Sequence, residues 1–312
     1  MRRSSATNNA RRFRAVTNQQ WQEKKKLRIS GFDASRPAVF HGAFNDIPAA
    51  GKWFIKNGTF RCPSELSTQY MEQYGDAIVP LEMTRASADN VQNETFERFE
   101  APLSLLLSHV GAAEPQETRL YLAQHSLADL PQALQDDLPT PTTFLSHLNA
   151  RGDIYASNLW MGRPPTRTPL HRDPNPNLFV QLAGKKTIRL MKPDVGALVY
   201  ARVRKQIHGA NGKAHMRGEE MMQGNEMEAL ETAVWGGDEG GMDGVPGEEA
   251  TLRPGDALYI PLGWWHAVRG VGRGANASVR KCKKSAWACT DWISRSTGGS
   301  AEHTLRRVDV EA

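Results

Sequence analysis

The chain has 312 residues, 39% of them hydrophobic and 23% charged, with a formal net charge of +5; this is globular composition, long enough for one large domain with extensions. Its three cysteines, Cys62, Cys282 and Cys289, form neither a paired framework nor a close zinc-type pair, which excludes a disulfide scaffold and favours a reducing compartment. No apolar run approaches the ~18 residues of a membrane-spanning helix, so a soluble protein with no membrane partner is expected.

Residues 1–35 read as a basic, disordered arm. Arg2, Arg3, Arg11, Arg12, Arg14, Lys24, Lys25, Lys26 and Arg28 face Glu23 alone, a composition suited to a solvated tail, with nuclear import or a weak attraction to nucleic acid as the functional reading. Nucleus or cytoplasm is the expected location; the scarcity of acids loosely fits a mitochondrial transit peptide as well.

Beyond the arm, Pro37–Phe40 reads as a short strand, His41–Asp46 as its turn and Gly51–Phe54 as a small helical or looped segment. Ala77–Leu81 is a second strand. From Phe96 to Val110, the apolar residues Phe99, Leu103, Leu106, Leu107 and Val110 follow helical spacing. Arg119–Gln124 is a strand, Asp129–Thr143 a polar, proline-punctuated connection, and Ile154–Met161 a strand with aromatic bulk at Tyr155 and Trp160. Leu178–Leu182, Ala183-Gly184 and Lys186–Met191 predict strand, turn, strand. Residues 202–250, rich in Gly, Met and Glu, show little periodicity and read as a loop insertion; the two histidines there, His208 and His215, do not make a zinc site. Arg253–Asp256 is a turn leading into the strand Ala257–Pro261. Short strands separated by turns predict a mainly β domain with flanking helices, a sandwich or barrel.

The chemistry concentrates in Thr168-Pro169-Leu170-His171-Arg172-Asp173 and in His266, almost a hundred residues later. Side chains two apart on a strand leave the same face, so His171 and Asp173 can aim at one point while Arg172 points away. Near pH 7 an aspartate is ionised and a histidine can be largely neutral, the forms that bind metal. With His266 as third ligand they would occupy one triangular face of an octahedron and leave three positions open, the ligand set of a mononuclear non-haem iron site.

In this context the chain resembles the Jumonji-C, cupin-like group of iron(II)- and 2-oxoglutarate-dependent oxygenases. The resemblance covers residues 36–279, which it implies are one oxygenase domain; it rests on Asn158–Gly162, Thr168–Asp173, Asn177–Lys186, Pro254–Pro261 and Trp264-Trp265-His266, in matching order and approximate spacing, and looks nearest to the small protein-hydroxylase type. It implies a double-stranded β-helix, or jelly-roll barrel, with His171, Asp173 and His266 holding Fe(2+) at its mouth. It also implies that Lys186 pairs with the distal carboxylate of 2-oxoglutarate, with Thr168 and Tyr121 donating hydrogen bonds to it and Asn177 near the co-substrate or just behind the metal ligands. A dicarboxylate needs a cation at its far end, and a buried lysine needs such a partner. Trp264 and Trp265 read as packing residues.

The implied activity is C–H hydroxylation of a protein side chain, consuming O2 and 2-oxoglutarate and releasing succinate and CO2; if the carbon is an N-methyl group, the outcome is demethylation. Two further readings stand beside it: a catalytically inactive cupin-like binding module, and a cupin using another metal for isomerase or dioxygenase chemistry, which would leave Lys186 without a dicarboxylate. The pattern departs from the family after Asn276–Val279. Arg280-Lys281-Cys282-Lys283-Lys284 carries four cations in five residues, a poor buried strand, and residues 280–312 read as an atypical, disordered tail of the kind an altered reading frame or a retained intron would encode.

Overall fold

The computed structural model describes residues 13–19, 32–55, 64–86, 94–112, 117–140, 154–208, 224–236 and 245–283. Its strands are β1 (Phe13–Ala15), β2 (Thr17–Gln19), β3 (Ala38–Phe40), β4 (Phe54–Ile55), β5 (Glu65–Leu66), β6 (Ile78–Ala86), β7 (Glu94–Pro102), β8 (Thr118–Ser126), β9 (Ile154–Gly162), β10 (Thr166–Arg172), β11 (Asn177–Ala183), β12 (Lys185–Met191), β13 (Gly247–Leu252), β14 (Ala257–Ile260), β15 (Trp265–Val271) and β16 (Asn276–Lys283). The helices used below are α1 (Pro48–Lys52), α2 (Thr68–Met71), α3 (Leu103–Gly111), α4 (Gln132–Asp136), α5 (Pro193–His208) and α6 (Gly224–Trp235).

Two sheets face each other. One has the order β1-β13-β12-β15-β10 and the other β2-β3-β14-β11-β16-β9-β8-β6-β7, with strands distant in sequence lying side by side and, apart from the pairings of β1 and β2, antiparallel, as in a double-stranded β-helix. Period-two alternation decides what enters the space between them. On β12, Lys186, Ile188 and Leu190 are fully buried while Lys185, Thr187 and Arg189 are not. Ile188 and Leu190 meet Phe179, Leu258, Ile260, Trp264 and Val268 in one apolar cluster drawn from both sheets.

The outer faces are covered by helices. α3 places Leu103, Leu106, Leu107 and Val110 on a buried stripe against Leu81, Leu122, Leu159 and Met161 of the nine-stranded sheet; burying each leucine contributes ~1.5–3 kcal/mol relative to exposure. α5 and α6 lay Val199, Val203, Leu230, Ala233 and Val234 over Leu170, Met191, Trp265 and Ala267 on the back of the five-stranded sheet. Asp137 ties α1 to α4: its buried carboxylate accepts from Lys52 Nζ at 2.5 Å, Trp53 Nε1 at 2.9 Å and the Tyr70 hydroxyl at 2.6 Å.

Four expectations need correction. The helix expected from Phe96 begins only at Leu103, because residues up to Pro102 pair one for one with β6 and Pro102 stands at the helix entry. Part of the arm is ordered: Phe13–Ala15 pairs with β13 and Thr17–Gln19 with β3, anchored by the Phe13 ring against the Arg189 guanidinium at 4.4 Å. The 202–250 insertion contains the end of α5, all of α6 and the first part of β13; Val195, Val199, Val203 and Ile207 recur every four residues, an apolar stripe over which the Gly-rich composition prevailed.

The fourth concerns the last strand. β16 does not stop at Val279 but continues to Lys283, paired with β11 on one side and β9 on the other. Alternation sorts the cations: Arg280 points into the barrel, whereas buried Lys281 points outward and donates from Nζ to the Leu138 carbonyl at 3.0 Å, its ammonium lowered by burial to about 8. Residues 284–312, with Cys289, lie outside the described residues, as do Cys62 and His215.

Candidate metal centre

The register of β10 and β15 sets His171 directly opposite His266, with ring centroids 4.2 Å apart. A bulge between Thr168 and His171 takes up Pro169 and Leu170. Thr168, opposite Val268, and His171, opposite His266, can therefore both face inward while Leu170 packs outward against the helices. Asp173 follows directly on β10. The potential ligand atoms of His171, Asp173 and His266 all lie within 4.8 Å of one another, the one such group among the described residues.

Each imidazole is turned by its own backbone. His171 Nδ1 lies 2.8 Å from the Pro169 carbonyl and His266 Nδ1 3.4 Å from that of Trp264, a pattern that leaves Nε2 of each ring for a metal. His266 Nε2 is 3.3 Å from Asp173 Oδ2. Burial, and then the neighbouring His266, lowers His171 to about 4, so the ring is neutral and its lone pair available at pH 7. Burial alone would raise the Asp173 carboxyl; the Arg280 guanidinium and the hydrogen bond with His266 outweigh it and hold the group well below its ordinary value. Two histidines and one carboxylate are a donor set that fits a divalent cation. The same Asp173 oxygen also accepts from Asn177 Nδ2 and, at 2.7 Å, from Arg280 Nη1.

Lys186 lies fully buried on the inner face of β12. Its Nζ donates to Ser278 Oγ at 2.7 Å and to the Tyr121 hydroxyl at 3.3 Å and lies 5.4 Å from the centroid of the Phe179 ring. Among the described residues no carboxylate pairs with it, and burial lowers it to about 7. A buried ammonium set among two hydroxyls and over the Phe179 ring is chemically complete only with an anion beside it, so the residues fit a carboxylate ligand. Tyr121, whose hydroxyl is raised by burial and by nearby Glu82, hydrogen-bonds with Thr166. Its ring lies across Gly162, where a Cβ would stand 2.6 Å from it.

Comparison with known proteins agrees with this geometry: a family model described as a cupin-like domain matches residues 31–281. The chain belongs to the cupin-like domain family. Within it, the chain is 29% identical over 151 residues to Lysine-specific demethylase 8 of Danio rerio, covering 48% of this chain and 33% of that protein. It is 24% identical over 237 residues to Lysine-specific demethylase 8 of Xenopus tropicalis, with 76% and 46% covered. Against Lysine-specific demethylase JMJ30 of Arabidopsis thaliana it is 25% identical over 269 residues, with 83% and 54% covered. The chain thus spans between one third and about half the length of these relatives, and the cupin-like match reaches into the cationic half of β16.

The structure brings His171, Asp173 and His266 to one point, Asn177 onto Asp173, and Tyr121 onto Lys186. Thr168 faces the barrel interior without a described hydrogen bond; Thr166, two residues earlier, is the hydroxyl that joins Tyr121. Sequence reasoning missed Thr166, Ser278 and Arg280. The last two lie on the inner face of β16 with fully buried Asn276, which accepts from Gln181 Nε2 at 3.0 Å and donates to the Lys185 carbonyl at 2.7 Å. The alternation of Asn276, Ser278 and Arg280 with Ala277, Val279 and Lys281 was the available signal. Trp264 and Trp265 are packing residues in two different clusters.

Proposed function

We propose that this chain is an iron(II)- and 2-oxoglutarate-dependent oxygenase that hydroxylates a C–H bond of a protein side chain. The observation that carries the reading is the His171, Asp173 and His266 group, of which His266 is buried and the other two partly so, in the same barrel as the anion-seeking ammonium of Lys186. When bound, iron(II) with dioxygen and 2-oxoglutarate supplies an oxidant that inserts one oxygen atom into a C–H bond, the other entering succinate as CO2 is released.

The chain's own residues do the rest by positioning. His171, Asp173 and His266 would hold the metal from one side and leave the opposite positions free. Lys186, with Ser278 and Tyr121 about its Nζ, would fix the distal carboxylate of 2-oxoglutarate. Asn177 orients the Asp173 carboxylate, and the apolar cluster of Phe179, Ile188, Leu258 and Val268, drawn from both sheets, excludes water from the space between them.

Demethylation of an N-methyl-lysine is a second reading, supported by the names of the relatives; it follows from the same hydroxylation, since an N-hydroxymethyl group breaks down to amine and formaldehyde. A non-catalytic binding module is a third, supported by the grip of Arg280 on Asp173. One experiment separates them: purified protein with iron(II), ascorbate and 2-oxoglutarate, presented with methylated and unmethylated peptides, is assayed for succinate and for peptide mass, with His171→Ala as control. Succinate with an oxygen gained on the peptide supports hydroxylation, and formaldehyde with a methyl group lost supports demethylation. Succinate no higher than in the His171→Ala control, from folded and metal-loaded protein, would leave the binding module.

A further inference from the structure

The most unusual contact in the barrel is between a metal-binding carboxylate and an arginine. Arg280 projects from the middle of β16, opposite Phe179 of β11 and Asn158 of β9. Its guanidinium lies 4.9 Å from the Trp160 ring, and its Nη1 donates to Asp173 Oδ2 at 2.7 Å. Both side chains are about nine-tenths buried, at 11% and 10% exposure.

The oxygen involved decides the consequence. Asp173 Oδ2 is also the atom 3.3 Å from His266 Nε2, so the guanidinium holds the carboxylate oxygen that faces the ligand triangle. A cation bound to that oxygen at the usual ~2.1 Å would lie within ~5 Å of Nη1. An arginine cannot relieve this by losing its proton, and a strand paired on both edges cannot withdraw its backbone. In the metal-free site the Asp173 carboxylate is matched by the Arg280 guanidinium. Adding a divalent cation leaves excess positive charge in a buried volume that also contains Lys186.

We infer that Arg280 is a tethered internal competitor for the metal, so that loading the His171, Asp173 and His266 site requires its guanidinium to leave the Asp173 oxygen. The inference rests on reading these three residues as a metal site, and it assigns to Arg280 a control over occupancy of that site. The guanidinium and the metal each satisfy the same buried carboxylate, one in the empty protein and the other in the loaded protein.

The test uses the full chain, stripped with EDTA and titrated with Co(II), a redox-stable divalent probe, by calorimetry. Wild type is compared with Arg280→Asn, Arg280→Met and His171→Ala. The two Arg280 variants are expected to bind Co(II) at least about tenfold more tightly than wild type, whereas His171→Ala loses binding. Thermal unfolding gives a second readout with opposite signs. In EDTA the Arg280 variants should unfold at lower temperature than wild type, because Asp173 is left buried without a partner; with saturating Co(II) their order should reverse. Arg280→Met keeps most of the side-chain volume and guards against a fold defect in Arg280→Asn. Equal or weaker Co(II) binding by both folded variants overturns the competition while leaving the metal site standing. Absence of Co(II) binding in every protein, or binding by His171→Ala equal to that of wild type, overturns the metal-site reading and the competition with it.

Discussion

Replacing Lys186 with methionine separates a residue kept for a ligand from one kept for the fold. Burial lowers the Lys186 ammonium from 10.5 to about 7, which at ~1.4 kcal/mol per tenfold change in protonation corresponds to roughly 4–5 kcal/mol of destabilisation when the group is fully charged. Its hydrogen bonds to Ser278 and Tyr121 persist in that state and do not remove the cost. Methionine fills similar volume without a charge, so Lys186→Met should stabilise the ligand-free protein by a few kcal/mol near pH 7. The sign with pH follows from linkage. The folded value is depressed, so the unfolded chain holds more protons between about 7 and 10.5, and wild-type stability rises over that window. The advantage of the variant is therefore largest below pH 7, shrinks between about 7 and 10.5, and is gone above that. At the same time 2-oxoglutarate loses its charged partner, at ~1.5–3 kcal/mol for a charge-assisted hydrogen bond, or roughly ten- to a hundredfold in affinity. Denaturant unfolding across this pH range, with a 2-oxoglutarate titration at pH 7, measures both. A variant that is less stable than wild type and binds 2-oxoglutarate equally well would refute the assignment and make Lys186 a structural residue.

Three other changes probe the scaffold. Gly162→Ala places a methyl group 2.6 Å from the Tyr121 ring and 3.1 Å from the Leu120 carbonyl; a loss of ~1–3 kcal/mol with weakened 2-oxoglutarate binding is expected in thermal and calorimetric assays. Ile188→Ala, fully buried between the sheets, should cost ~2–5 kcal/mol in urea unfolding while leaving the three metal ligands in place. Asp137→Ala removes the acceptor shared by Lys52, Trp53 and Tyr70 and should cost at least ~3 kcal/mol. Burial opposes ionisation of Asp137, but hydrogen bonds from Lys52 and Tyr70 prevail and lower it. Its contribution is thus present above the ordinary carboxylate range and lost as pH falls through the folded value, so the difference between wild type and Asp137→Ala should shrink in acid unfolding.

The strands that carry the site were legible because alternation and chemistry coincide on them. β10, β11, β12 and β15 carry the residues of the motifs, so His171, Asp173, Lys186 and His266 could be placed on strands from sequence, and the structure sets β12, β15 and β10 side by side in one sheet, with Asp173 just beyond β10. What was not legible depended on partners distant in the chain. A run of four cations looks incompatible with a central strand until Asp173, Leu138 and Trp160 are brought beside Arg280 and Lys281. Phe99 joins a helical stripe on paper because the β6 strand that claims it lies elsewhere in sequence. Thr166 was passed over for Thr168 because the bulge that reorders β10 is a property of the pairing with β15.

The central claim, that a metal at His171, Asp173 and His266 and an ammonium at Lys186 serve one ligand, is tested most directly by titrating 2-oxoglutarate anaerobically into the protein at saturating Mn(II) and after EDTA treatment. The account predicts one site whose affinity falls at least about tenfold without metal and falls again in Lys186→Met. Binding of equal strength with and without metal, or no binding at all to the folded, metal-loaded protein, would contradict it.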